Sequence, residues 1–322
     1  MLTPVDRVEI QLIVDNVIDG FLTDSPEVRR PKWNLQQKWG ARPNLIAEHG
    51  FCAQVRVFRG DTSATILFDA GVTTFAALQN MDFLGLDPSK IDAIALSHGH
   101  IDHTQGLPAI LKRRAAPVDL HLHPDAFLDR RLVMPDGTIF LTPPPDRTTL
   151  EHLGARIIES RGPMLLTDDM VLLTGEIPRV TAFERGLPVH QSRINGVWTP
   201  DPQVPDDQSL VVNVRGKGLV VMTGCGHAGA INTLLHAQNL THEMQIHAYL
   251  GCLHLTGPLF EPIIPDTIAA LKTFAPKRLM PCHCTGWKAT HAIADAMPDP
   301  FVIASVGTTL VIESSDAPAS RP

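Results

Sequence analysis

The stretch Ser97-His98-Gly99-His100-Ile101-Asp102-His103-Thr104-Gln105-Gly106-Leu107 follows an apolar run, Ile91 to Leu96, that reads as a buried strand. It places four potential metal ligands, His98, His100, Asp102 and His103, within six residues. On a continued strand His98, His100 and Asp102 would share a face and His103 would point away, whereas on a helix His98 and His100 would diverge. An extended His-Gly-His turning into a helix gathers all four, with Gly99 permitting a close backbone approach. That arrangement suits two adjacent metals rather than one. Imidazole and carboxylate together fit zinc, manganese or ferrous iron.

The chain in order reads as strands and helices that lead into glycine- and histidine-bearing turns. Val8 to Val14 is a first strand, and residues 19–49, with Pro26, Pro31, Pro43, Trp33 and Trp39, read as a long loop or lid. Ala53 to Phe58 and Ala64 to Phe68 predict a hairpin around Gly60-Asp61, followed by Asp69-Ala70-Gly71. Thr73 to Leu84 and Gly106 to Arg114 predict helices, and Val118 to Leu122 a strand ending in His121 and His123. His123 is expected to line a pocket, and Arg130-Arg131 to be a solvated pair on a short helix. The segments 134–149, with Pro143-Pro144-Pro145, and 175–208, with Pro178, Pro188, Pro200, Pro202 and Pro205, are expected to be irregular loops over the active face.

The second half contributes further strand-end histidines. A hairpin, Ser209 to Val214 with Gly218 to Met222, ends in Gly224-Cys225-Gly226-His227-Ala228-Gly229 before a helix from Ala230. A glycine-flanked histidine at a strand-to-helix turn is exposed by construction and can approach a metal closely. Cys225 is a second candidate, as a thiolate ligand or as a buried inert thiol. Gln245 to Leu250 leads to Gly251-Cys252-Leu253-His254, and Lys277 to Pro281 leads to Cys282-His283-Cys284-Thr285-Gly286. A separate thiolate zinc site at Cys282-His283-Cys284 is disfavoured, because Cys252, the nearest other thiol, is distant in sequence. A closing hairpin is expected from Val302-Ile303-Ala304 and Thr308 to Ile312, with residues 1–313 forming one domain and 314–322 a disordered tail.

Composition narrows the classes of function. A net charge of −7 without a lysine or arginine block argues against a general grip on nucleic acid. Met1 to Asp15 lacks a basic start followed by a long apolar segment, and no stretch reaches about 18 apolar residues, so neither a signal peptide nor a membrane span is expected and the cytoplasm is the default. Five cysteines fit reduced thiols better than a disulfide framework. The sequence leaves the oligomeric state open.

The run His98-Gly99-His100-Ile101-Asp102-His103 resembles the His-x-His-x-Asp-His signature of the metallo-β-lactamase superfamily. Glu48-His49-Gly50, Asp69-Ala70-Gly71, Gly175-Glu176-Ile177-Pro178-Arg179, Pro205-Asp206-Asp207-Gln208, Gly224 to Gly229, Gly251 to Leu255 and His283-Cys284-Thr285-Gly286 together resemble one branch of it. That branch is typified by 7,8-dihydropterin-6-methyl-4-(β-D-ribofuranosyl)aminobenzene-5′-phosphate synthase. The resemblance implies an α+β fold, the four-layer αβ/βα sandwich, here with proline-rich loop insertions. It also implies a late ligand at His283, and it places Cys225 where many members carry a bridging aspartate. Gly251-Cys252-Leu253 departs from the branch, which has Gly-Gly and an aromatic there.

Taken together, the residues and the resemblance point to a metal-dependent hydrolase acting on a phosphorylated or otherwise anionic small molecule through a metal-activated water. The expected ligand sets are His98, His100 and His227 for one ion and Asp102, His103 and His283 for the other, with zinc preferred and manganese or iron as alternatives. Asp102, Glu176 and His254 are the acid/base candidates, and Asp69 is expected to orient a ligand histidine. Two other readings stay open. One is a pterin-pathway condensation. The other is a redox or non-catalytic metal protein, of which the di-iron form is disfavoured because di-iron relatives carry glutamate at the place of His100.

Overall fold

Alternation in the first strand sets the layering. Arg7–Val14 buries Val8, Ile10 and Leu12 on one face while Arg7, Glu9 and Gln11 stay partly exposed. The computed structural model describes residues 1–32 and 44–315. In it this strand lies third in an eight-stranded sheet ordered Val28–Arg29, Thr309–Glu313, Arg7–Val14, Cys52–Arg59, Thr62–Phe68, Ala93–Ala95, Val118–Leu122 and Ala155–Glu159. A six-stranded sheet is ordered Met164–Leu166, Val171–Leu173, Ser209–Val214, Gly218–Thr223, Ile246–Gly251 and Arg278–Pro281.

The two sheets face each other across one apolar cluster. Val8, Ile10, Leu12, Val55, Ile66 and Phe68 from the first meet Leu173, Val212, Val220, Met222, Leu250 and Met280 from the second. Each such side chain contributes about 1.5–3 kcal/mol relative to exposure, so this layer is a principal source of cohesion. On the outer face of the larger sheet, Leu67, Ile94 and Leu120 pack under Ala77 and Met81 of helix Ala76–Leu84 and Ile110 and Leu111 of helix Leu107–Arg114. On the outer face of the smaller one, Val221, Tyr249 and Leu279 pack under Leu234, Leu271 and Ile293 of helices Ala230–Thr241, Ile264–Phe274 and Trp287–Ala296. The layers are therefore helix, sheet, sheet, helix, as expected of the four-layer sandwich.

Parallel pairing decides where the chemistry collects. Thr62–Phe68, Ala93–Ala95 and Val118–Leu122 run parallel in one sheet, and Gly218–Thr223, Ile246–Gly251 and Arg278–Pro281 in the other. Their carboxyl ends lead into Asp69, His98, His123, Cys225, Cys252 and His283. A crevice outside the carboxyl ends of parallel strands is where α/β sheets bind ligands.

Several expectations are corrected. Segment 134–149 is not devoid of regular structure, because it contains strand Ile139–Thr142 and the start of helix Arg147–His152. Segment 175–208 contains strands His190–Ile194 and Val197–Pro200. With Arg130–Val133, where a short helix was expected, these form a third, four-stranded sheet. The physical reason is Asn195-Gly196, both at positive φ between the paired Ile194 and Val197, which is a two-residue hairpin turn. No closing hairpin forms at residues 302–304. Thr309–Glu313 pairs with Arg7–Val14 and Val28–Arg29 instead, because Phe301 bridges to Leu279 in the other sheet. Trp33, Trp39 and Pro43, and residues 316–322 of the expected tail, lie outside the described residues. Among the described residues no helix is long and apolar enough to cross a membrane.

Candidate metal centre

After strand Ala93–Ala95 the backbone bends at Ser97 and Gly99, is extended at His100 (φ −69°, ψ 150°), and turns into helix Ile101–Thr104. This is the extended-to-helical transition that brings His98, His100 and His103 to one point. Ring centroids lie 4.5 Å apart for His98 and His100 and 4.3 Å apart for His98 and His103. Gly99 is required for packing, since a β-carbon there would lie 2.1 Å from the Ala126 carbonyl oxygen. The smaller sheet supplies the rest. His227 follows Gly226, at φ 73°, and its ring is 4.9 Å from those of both His98 and His100. His283, itself left-handed at φ 46°, places Nε2 3.1 Å from Asp102 Oδ2 and its ring 5.1 Å from His103.

The hydrogen bonds around the cluster assign which ring nitrogen each histidine offers. Ser97 donates from N and Oγ to the two carboxylate oxygens of Asp69, each at 2.7 Å. With its proton so used, Ser97 Oγ accepts from His98 Nδ1 at 2.9 Å, which leaves His98 Nε2 bare, buried and without a protein partner. His103 Nδ1 donates to Asp69 Oδ2 at 2.7 Å, so its Nε2 faces Cys225 Sγ at 3.2 Å. His190 Nδ1 donates to the Asp201 carbonyl at 2.8 Å and can accept, at Nε2, from His100 Nε2 at 3.1 Å. His100 therefore presents Nδ1, 3.2 Å from His227 Nε2. His283 Nδ1 donates to Asn16 Oδ1 at 3.2 Å, freeing its Nε2 toward Asp102.

Electrostatics favour a cation among these atoms. Burial pushes the His98 and His227 imidazoles well below their ordinary pKa, and neighbouring rings push the same way, so both are neutral donors. Burial alone would raise the Asp102 carboxyl, yet His103 and His283 outweigh it and hold the group well below the usual range. For His103, burial is outweighed by Asp102 and Asp69, which lift the imidazole well above its ordinary value. The negative field that favours a proton at His103 equally favours a metal ion beside it. The buried His98 Nε2 has no partner, and the imidazole, carboxylate and thiol donors gathered around it fit divalent cations.

Donor atoms mutually within 4.8 Å form three groups: His98 with Cys225 and His227; Asp102 with His103, Cys225 and His283; and His49 with Asp102, His283 and Cys284. Cys225 is common to the first two, between the ligand sets expected from sequence. His100 joins no group, but its Nδ1 faces His227. His254 also joins none. Its ring lies 4.3 Å from His227 and 4.5 Å from Phe260, with the backbone at φ 48°.

Glu176 is placed elsewhere. Its carboxylate bonds His123 Nε2 and Arg161 Nη1, each at 3.0 Å, and no clustered histidine. Burial would raise its pKa, but His123 and Arg161 outweigh it and lower the group below the ordinary value. Arg130 is not solvated. It is fully buried, 2.6 Å from Asp206, whose other oxygen accepts the Gly99 N–H at 2.8 Å. Asp207, buried next to it, accepts the Ala228 N–H at 2.8 Å. His190 carried no signal in sequence, because no glycine or strand-end pattern marks it. His49 and Cys284 stood inside recognised motifs without a role. Cys252, distant in sequence, packs with Cys225 and Cys284 in one buried cluster, and all five cysteines are buried and free.

Comparisons with known proteins bear on the fold and the family. A model of the metallo-beta-lactamase superfamily matches residues 52–230. A 7,8-dihydropterin-6-methyl-4-(beta-D-ribofuranosyl)-aminobenzene-5′-phosphate synthase of Methanocaldococcus jannaschii is 30% identical over 261 residues, covering 79% of this chain and 87% of that protein. An uncharacterized protein of the same organism is 28% identical over 279 residues, covering 84% and 96%. Among solved structures, Tm1679, described as a metal-dependent hydrolase of the beta-lactamase superfamily, superposes with a TM-score of 0.70 at 23% identity over 96% of this chain and 100% of that one. YhfI from Bacillus subtilis superposes at 0.51 with 14% identity over 95% and 100%.

Proposed function

The chain belongs to the metallo-β-lactamase superfamily, and we propose on that footing that it is a metal-dependent hydrolase of a phosphorylated or otherwise anionic small molecule. The observation that carries the reading is the convergence from both sheets of His98 Nε2, buried and without a partner, of His100 Nδ1 and His227 Nε2, 3.2 Å apart, and of His283 Nε2, 3.1 Å from Asp102 Oδ2. His98, His100 and His227 would hold one divalent cation, and Asp102, His103 and His283 the other. Zinc suits this mixture of imidazole, carboxylate and thiol better than manganese or iron. Such cations supply Lewis-acid polarisation of the scissile bond and acidify water toward neutral pH.

The protein's own groups do the positioning. Asp69, Ser97, His190 and Asn16 fix ring orientation and tautomer, and thereby the direction of each lone pair. Asp102, 17% exposed at its side chain, sits on the solvent side of the cluster. His254 flanks His227 with a buried Nδ1 free of partners, and is our candidate proton donor to the leaving group. Glu176, bound to His123 and Arg161, receives no catalytic role in this reading.

A second reading, condensation with a nucleophile other than water, is favoured by the 30% identical relative, which is named a synthase. Assay of a phosphoester panel and of a pterin pyrophosphate with an aromatic amine separates the two. Hydrolysis is expected to be abolished by chelation and restored by one divalent metal. Full activity after complete metal removal would sink both.

A further inference from the structure

His49 and Cys284 are among the residues that the sequence motifs mark and the proposed ligand sets leave unused. Cys284 Sγ lies 3.3 Å from His283 Nε2, which in turn lies 3.1 Å from Asp102 Oδ2. Those separations are close to the ligand-to-ligand edges of a single coordination shell, given metal–nitrogen and metal–sulfur bonds of about 2.0–2.3 Å. The Cys284 sulfur is also surrounded by donors. It packs with Cys225 and Cys252 in one buried cluster, and His49 Nε2 lies 3.7 Å from it.

Asn16 decides what His49 can do. Its Oδ1 accepts from His283 Nδ1, and its Nδ2 donates to the His283 carbonyl at 3.2 Å and meets His49 Nδ1 at 3.3 Å. One carboxamide offers a single acceptor oxygen, here committed to His283. His49 Nδ1 is therefore the acceptor and its Nε2 carries the proton, directed at sulfur. His49 is thus oriented as an N–H donor to a thiolate rather than as a ligand.

We infer that Cys284 is a thiolate ligand of the cation held by Asp102 and His283, and that His49 donates an N–H···S hydrogen bond to it. This rests on the metal-centre reading above and adds a sulfur to it. Ligation releases the thiol proton to solvent. It makes the second position softer than the first, so that it takes zinc, cadmium or cobalt in preference to manganese.

The test is cobalt(II) reconstitution of the whole protein, followed by absorption. The unaltered protein is expected to show a near-ultraviolet sulfur-to-cobalt charge-transfer band. Cys284→Ser should bind cobalt without that band, while Cys225→Ser should keep it. His49→Ala should keep the band but move it to longer wavelength, because a sulfur freed of its hydrogen bond is a stronger electron donor. Zinc-edge X-ray absorption of the unaltered protein gives a readout independent of any variant, a sulfur scatterer at about 2.3 Å. An undiminished band in Cys284→Ser, or its loss only in Cys225→Ser, overturns the assignment. Cobalt bound without any sulfur signature also overturns it and leaves the metal centre standing, whereas failure to bind cobalt at all removes the metal centre itself.

Discussion

His103 Nδ1 lies 2.7 Å from Asp69 Oδ2, and neither side chain has any solvent exposure. Asp69 also takes both Ser97 protons, so one carboxylate fixes the orientation of two neighbouring rings of the cluster, His103 directly and His98 through Ser97. Its backbone is left-handed at φ 61°, a conformation that asparagine tolerates better than alanine. Asp69→Asn is therefore the clean probe. It is expected to weaken metal affinity by about 10–100-fold, the usual cost of losing a partner behind a ligand histidine. Competition against a chromogenic chelator measures it, and an unchanged affinity would show that His103 needs no carboxylate behind it.

His190 reaches His100 from the third sheet and couples that sheet to the centre by a nitrogen–nitrogen contact of 3.1 Å, beside the link from Arg130 through Asp206 to Gly99. Removing it in His190→Ala frees His100 to change tautomer and swing Nδ1 away from His227. Metal affinity at that position should fall by about tenfold or more. His190→Gln, whose amide oxygen can still accept, should recover part of it. Equal losses in both variants would assign His190 a packing role only.

Gly99→Ala tests the close approach beneath the motif. The added methyl would meet the backbone of Ala126, with the carbonyl oxygen at 2.1 Å and Cα at 2.6 Å, and a backbone cannot swing aside as a side chain does. Overpacking of this kind costs about 3 kcal/mol, which urea unfolding of the metal-free protein would register. A change within about 0.5 kcal/mol would mean that the segment carrying His98 and His100 is softer than its packing indicates.

Much of the centre was legible because its residues punctuate regular structure. His98, His227 and His283 each follow a strand with glycine or a turn nearby, and strand alternation is a local signal that chain order preserves. What escaped was set by tertiary contact. His190 lies on a strand whose pattern Pro188, Pro200 and Pro202 obscured, although Asn195-Gly196 marked the hairpin. Glu176 looked like part of the site because glycine and proline flank it, yet Arg161 and His123 claim its carboxylate. Cys252 and Cys284 are distant in sequence but share one cluster, because their strands are parallel neighbours, and parallel neighbours are necessarily separated by a crossover.

Asp207 gives the protein a stability that depends on pH. Burial pushes its carboxyl up from 3.8 to about 6, against the Ala228 N–H and the nearby Arg179 guanidinium, which lower it. One of its oxygens, Oδ1, has no partner. A group whose folded pKa is raised stabilises the fold while protonated. Its contribution is complete below the unfolded value near 3.8 and is lost as pH rises through about 6. A shift of about two units corresponds to roughly 3 kcal/mol. Between about pH 4 and about pH 8, the metal-free protein should therefore lose up to that much more stability than Asp207→Asn, which has no charge to bury. Urea unfolding of both proteins at the two pH values measures the difference. Parallel curves would place the Asp207 charge in a better-solvated setting than its burial implies.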